Sequence, residues 1–252
     1  MEEKKRIRCD ILGICETQQK ELEVNWKDGS TVRLGKGDGA RNVGGVRFII
    51  SKDWVSKVIS CQLISSRIGV LHLQMESKAI LKVIQAYAPT STSEDEEVEE
   101  FYQELKRALM QKSTYIITMG DFNAKVGRGK AGEKFIGRYG SGERNERGER
   151  LVTMAETKEL NMANTWYKKK IAKRWTWIMP NVKSKNEIDY ILVNKRCIVQ
   201  DVSVVQPFNI GSDHRLLRVK LIFDEAVEKK ALQMANRKQC LKTFDEESDF
   251  WV

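Results

Sequence analysis

A helix-patterned segment held between two apolar runs constrains this chain more than any other feature. From Ser93 to Lys112 the sequence carries acids in its first turn and Lys106, Arg107 and Lys112 in its last, with Val98, Phe101, Tyr102, Leu105 and Leu109 on one face. Acids at the start and cations at the end complement the helix dipole, Ser93 with Glu96 reads as a capping box, and the apolar stripe must cover something. Before this helix, Leu81–Ala86 runs into Tyr87; after it, Tyr115–Met119 runs into Gly120, Asp121, Phe122 and Asn123. Two apolar runs joined by a crossover helix pair as parallel strands in a right-handed unit. Tyr87 and Asp121 are therefore expected on the same sheet edge, where ligands of open α/β sheets gather.

Other apolar runs deliver polar groups in the same way. Ile11–Cys15 leads to Glu16, Glu187–Val193 carries Asp189 inside a strand pattern, and Gly211-Ser212-Asp213-His214 precedes the alternating Arg215–Phe223. Between them, Gly45–Ile50, Val58–Ile64 and Ile68–Met75 predict an antiparallel meander. The polar, glycine-containing stretch from Gln18 to Gly44 builds little core. Lys125–Arg150 holds 8 Lys/Arg and 4 Asp/Glu, a candidate functional loop, and is followed by a shorter helix around Arg150–Glu159 with Leu151, Met154 and Ala155 inward.

These 252 residues suffice for one large domain, placed at residues 1–223, with a charged, partly helical tail at 224–252. The tail carries 5 Lys/Arg against 7 Asp/Glu, so the net charge of +9 resolves into +9 − (−2) = +11 for the domain. A basic excess of this kind favours a polyanionic partner, nucleic acid first, although it could equally serve solubility or an anionic membrane surface. The 5 cysteines form no C-x-x-C pair, and no run approaches the ~18 apolar residues of a membrane span. An intracellular, nuclear or cytoplasmic monomer is the expectation.

The stretch Trp166–Trp177 interleaves 5 cations with 4 aromatics and contains no acid. Lys168, Lys169, Lys170 and Arg174 offer charges for phosphates while the aromatics offer faces for bases. A strand whose Trp175 and Trp177 share a buried face, with the lysines merely in solvent, accounts for the same residues equally well.

Hydrolysing a phosphodiester takes a metal to neutralise non-bridging oxygens, a group that orients or deprotonates water, and donors for the charge that develops. Glu16 and Asp213 suit one hard Mg²⁺, or Mn²⁺, since such an ion usually takes one or two protein carboxylates. Asp121 and His214 are candidates for activating water, and Asp189 for holding the His214 tautomer. Asn123 and Tyr87 can donate to phosphate oxygens. Singly, each is weak: a lone Asp at a strand end is commonly a turn or cap residue, and His72 sits in an alternating strand as a structural residue.

Together they are specific. Ile84-Gln85-Ala86-Tyr87-Ala88-Pro89-Thr90, Gly120-Asp121-Phe122-Asn123-Ala124-Lys125-Val126-Gly127, Ile188-Asp189-Tyr190-Ile191-Leu192 and Gly211-Ser212-Asp213-His214 stand in the order and spacing of the endonuclease/exonuclease/phosphatase superfamily. Within it, the region from Asp10 to Phe223 resembles the apurinic-endonuclease-like domain of LINE-type (non-LTR) retrotransposons and the related craniofacial development protein group.

That resemblance implies a four-layer α/β sandwich, two packed and mostly antiparallel sheets flanked by helices, and Mg²⁺-dependent nicking of DNA. It implies metal ligation by Glu16 and Asp213, orientation of water and phosphate by Asp121 and Asn123, and a hydrogen-bonded Asp189–His214 pair. It also implies phosphate contacts from Tyr87 and Thr176. Family members begin with a strand ending in asparagine and a helix, whereas nine residues precede Asp10, so a first β-α unit is expected to be missing and activity reduced. A catalytically weak DNA-binding remnant and a phosphatase of small phosphate esters are the competing functions.

Overall fold

The computed structural model describes residues 9–16, 23–26, 28–34, 45–111, 113–179, 184–205, 211–224 and 226. In chain order the strands are β1 (Ile11–Ile14), β2 (Glu23–Asn25), β3 (Thr31–Leu34), β4 (Arg47–Ile50), β5 (Val58–Leu63), β6 (Ile68–Gln74), β7 (Ile80–Tyr87), β8 (Tyr115–Asp121), β9 (Asn161–Met162), β10 (Trp177–Ile178), β11 (Lys185–Asn186), β12 (Asp189–Val193), β13 (Val199–Val204) and β14 (Leu217–Leu221). A six-stranded sheet runs β5-β6-β7-β8-β12-β9, and a four-stranded sheet runs β1-β4-β3-β2.

The helical crossover does what its pattern requires. β7 and β8 pair in parallel, from Leu81 opposite Tyr115 to Tyr87 opposite Asp121. Because side chains alternate along a strand, one face of β7 gives Ile84 and Ala86 to a core under the helices, and the other gives Leu81 and Val83 to a core between the sheets. The same parity sends Ile117 of β8 and Ile191 of β12 toward the second sheet. Two and four residues further on, that parity carries Met119 and Asp121 to the inner face, and it carries Asp189 there as well.

The helix Asp95–Met110 buries Val98, Phe101, Tyr102, Leu105, Ala108 and Leu109 on the outer face. Its start differs from the expected capping box: the N-cap is Glu94, without a side-chain cap bond, and the Ser93 amide donates to Thr90 in a preceding turn. At the other end, the buried Lys82 donates through Nζ to the Ala108 carbonyl at 2.9 Å and also to Gln111, satisfying carbonyls that a helix end leaves open. The other long helix is Glu146–Thr157, starting four residues earlier than expected, with Asn145 Oδ1 accepting from the Gly148 amide at its N-cap.

Of the expected meander, β5 and β6 pair antiparallel, and β7, which lies outside that expectation, extends it on the other side of β6. The run before them does not join it. β4 pairs instead with β1 and β3 in the other sheet, placing Phe48 and Ile50 in the inter-sheet core. Apolar alternation made β4 a strand without specifying its neighbours. Among the described residues β1 is an edge strand; the positions bearing on a missing first unit, 1–8, lie outside them, as does nearly all of the 224–252 tail. No helix among the described residues is long and apolar enough to cross a membrane.

Candidate active site

At the inner rim, Asp121 and Asp189 are cross-strand partners in the β8–β12 register, and His214 reaches between them. Its Nδ1 lies 3.0 Å from Asp189 Oδ2, and its Nε2 lies 3.8 Å from Asp121 Oδ2. The β12 carboxylate thus fixes which ring nitrogen carries its proton toward it. Burial works against charge on His214, yet the hydrogen bond and charge of Asp189, with Asp121 and Asp213 behind them, raise its pKa to about 9. Burial and then the neighbouring Asp189 push Asp121 up to about 8, His214 opposing the shift.

Glu16 is delivered by β1, and β1 is seated on the six-stranded sheet by polar contacts unusual for a strand face. The Cys15 thiol donates to the Ala86 carbonyl at 3.5 Å and accepts from Gln85 Nε2 at 2.9 Å. Burial pushes that thiol to about 12, so it stays protonated and unreactive. A Cβ on Gly13 would stand 1.8 Å from Gln85 Oε1, so a larger residue there would displace the Gln85 side chain from its present contact. Glu16 itself has a φ of 59° and Asn123 one of 47°, left-handed conformations costing on the order of 1–3 kcal/mol each that surround functional groups.

Hydrogen bonds set the remaining groups. The Tyr87 hydroxyl donates to Glu16 Oε1 at 2.8 Å, and burial, then that bond, raise its own pKa. The Asn123 amide nitrogen donates to Asp121 Oδ1 at 2.8 Å, while its Nδ2 donates to the Ala88 carbonyl at 2.9 Å and keeps one proton to offer. Asp213 is exposed, and its Oδ2 accepts from the indole Nε1 of Trp177 at 2.8 Å. Below this rim, a cavity of about 220 Å³ is lined by Glu16, Asp121, Asp189, Ser212 and His214 together with β1 and the start of β14.

A divalent cation suits this donor set. Asp121 is held neutral by desolvation and by its carboxylate neighbours Asp189 and Glu16, an accumulation of negative charge that a cation would relieve. Among the described residues no group of three or more His, Cys, Asp or Glu forms a ready-made cage. One or two carboxylates with waters is the usual complement for Mg²⁺.

Residues 81–218 match the family described as endonuclease-reverse transcriptase. The chain belongs to that family. With it comes membership of the endonuclease/exonuclease/phosphatase superfamily, whose nuclease/phosphatase fold this is. Craniofacial development protein 2 of Tragulus javanicus is 34% identical over 225 residues, 87% of this chain, which spans 38% of that relative's length. Among solved structures, the 3′ phosphatase NExo from Neisseria bound to product DNA hairpin superposes with a TM-score of 0.61 at 14% identity, covering 88% of this chain and 92% of that one. The Xenopus laevis APE2 catalytic domain gives 0.58 at 13% identity, covering 88% of each chain.

Within this superfamily fold, several residues expected at the phosphate stand elsewhere. Arg174 is buried at 5% exposure and spends its guanidinium on Glu187, the Tyr167 carbonyl and the Asn164 carbonyl. Thr176 is fully buried, its hydroxyl accepting from the amides of Ile188 and Asp189 at 3.1 Å each. It fixes the start of β12 and so the height of Asp189. Lys169 pairs with Asp201 at 2.5 Å, whereas Lys168 and Lys170 are exposed. The Trp175 ring carries the Arg215 guanidinium at 3.1 Å and the Lys185 ammonium at 5.0 Å from its centroid.

The candidate functional loop from 125 to 150 is internally tied. Arg144 donates to Glu133 and to the Val126 and Arg128 carbonyls. Sequence reasoning passed over Trp177 as a hydrogen-bond donor and Ser212, whose Oγ accepts from the His214 amide at 3.0 Å. For Ser212 the Ser-x-His spacing was a legible turn signal; for Trp177 there was none.

Proposed function

We propose that this chain is a divalent-cation-dependent phosphodiester hydrolase that nicks DNA and derives from a retrotransposon endonuclease. The observation that carries the reading is the Asp121–His214–Asp189 array beside Glu16 and Asp213 on one rim. Mg²⁺, or Mn²⁺ in its place, would be held by Glu16 and Asp213, and when bound it supplies neutralisation of the phosphate's non-bridging oxygens. Asp121, raised toward neutrality, takes a proton from water when ionised, the pKa a general base near pH 7 needs. His214, held cationic by Asp189, donates to the charge developing on phosphate. Asn123 offers its remaining amide proton to a phosphate oxygen, and Tyr87 holds Glu16 in place.

The net charge of +9 and exposed Lys168 and Lys170 favour a polymeric phosphate over a small ester. The protein would act as an intracellular monomer on DNA. Supercoiled plasmid incubated with Mg²⁺ should convert to open circles, and EDTA should stop the conversion. DNA binding without conversion would assign a binding remnant, and phosphate release from an inositol phosphate without nicking would assign a phosphatase.

A further inference from the structure

Asp213 poses a mechanical problem. It is exposed, in a segment between Gly211, whose φ is 78°, and β14. A carboxylate on such a segment rotates among rotamers unless something holds it, and ligand precision depends on that hold. The short hairpin β10–β11 supplies it. The Ile178 amide donates to the Asp213 carbonyl at 3.1 Å, the Arg215 amide donates to the Thr176 carbonyl at 2.6 Å, and Trp177 stands opposite His214 in an antiparallel bridge. The backbones of Thr176 and Ile178, on either side of Trp177, thus register the Asp213–Arg215 segment with His214 opposite Trp177.

The side chain adds what the backbone does not. An indole has one donor and no acceptor, and the N–H of half-buried Trp177 is spent on Asp213 Oδ2 at 2.8 Å. Among the described residues the other oxygen, Oδ1, receives no donor. We propose that Trp177 is the positioning residue for Asp213, its indole N–H fixing the carboxylate so that one oxygen is oriented and the other stays free for a divalent cation. This rests on the reading of Asp213 as a cation ligand. Partners that orient a ligand in this way typically change metal affinity by about 10- to 100-fold when removed.

The test is Mn²⁺ titration, followed by the EPR signal of free Mn²⁺, on the full chain and on Trp177→Phe, which keeps an aromatic ring and the backbone ladder but removes the donor. The expected result is a dissociation constant raised about 10-fold or more, with the thermal midpoint little changed. The Mg²⁺ concentration for half-maximal nicking should rise by the same factor, while the rate at saturating Mg²⁺ is retained. In an Asp213→Asn background the same substitution should have no further effect. An unchanged dissociation constant in Trp177→Phe, or an equal loss in the Asp213→Asn background, overturns the proposal. Asp213→Asn binding Mn²⁺ like the wild type would instead remove the ligand assignment beneath it. Should Trp177→Phe fail to fold, the wild-type indole ¹H–¹⁵N resonance of Trp177 decides: it should shift on Mg²⁺ addition in step with occupancy, and a resonance that does not move overturns the proposal.

Discussion

Asp121 and Asp189 stand directly opposite each other across β8 and β12, two carboxylates on one face of an antiparallel pair. Like charges so placed destabilise a sheet. Here the cost is relieved by His214, which sits within 3.0 Å of one and 3.8 Å of the other. The array is therefore a proton-holding device before it is anything else.

Stability of the metal-free protein should fall as pH rises from about 4 to about 9. Asp121 has its folded pKa raised to about 8, so the folded state keeps a proton that the unfolded chain releases near pH 4. His214, raised to about 9, acts in the same direction: its contribution is complete below about pH 6.5 and is lost through pH 9. Thermal midpoints measured across this range should decline, and Asp121→Asn should flatten the decline between about pH 4 and 8. A midpoint that climbs instead would mean that Asp121 ionises normally.

His214→Ala should reduce nicking by about 10²- to 10⁴-fold while leaving DNA affinity nearly intact. One imidazole adds little to a charge-dominated interface and much to a transition state. Equal nicking rates for the two proteins would sink the assigned mechanism.

Arg174 and the lysines beside it should separate cleanly. Arg174→Met strands Glu187, whose side chain is 3% exposed, and should cost about 3–5 kcal/mol in denaturant unfolding. Replacing exposed Lys168, Lys170 and Lys173 by alanine should leave stability alone. It should flatten the log–log salt dependence of DNA binding by about 0.9 per lost phosphate contact. An unchanged slope would assign these lysines to solvation only.

Gly120→Ala should lower the thermal midpoint and the nicking rate together. The residue has a φ of 143°, and an added Cβ would stand 1.9 Å from the Ala86 carbonyl oxygen. The strained conformation alone is worth on the order of 1–3 kcal/mol, and relieving the clash would part β7 from β8 at Asp121. A variant as stable and active as the wild type would show that the strand ends are not rigidly registered.

Sequence periodicity by itself determined the buried face of the helix and the strand ends at which Tyr87, Asp121 and Asn123 emerge, because these depend on neighbours a few residues away. The parallel β7–β8 pairing followed from the handedness and reach of a single helical crossover. Tertiary structure alone decided which sheet received β4, since alternation sets which face of a strand is apolar but not which edge it joins. It also decided the fate of Arg174 and Thr176. A cation among lysines looks solvated until Glu187, 13 residues on, is folded against it, and a threonine hydroxyl is free until the β12 amides arrive. The hold of Trp177 on Asp213 spans 36 residues and exists only because the β10–β11 hairpin is laid along the segment that carries His214.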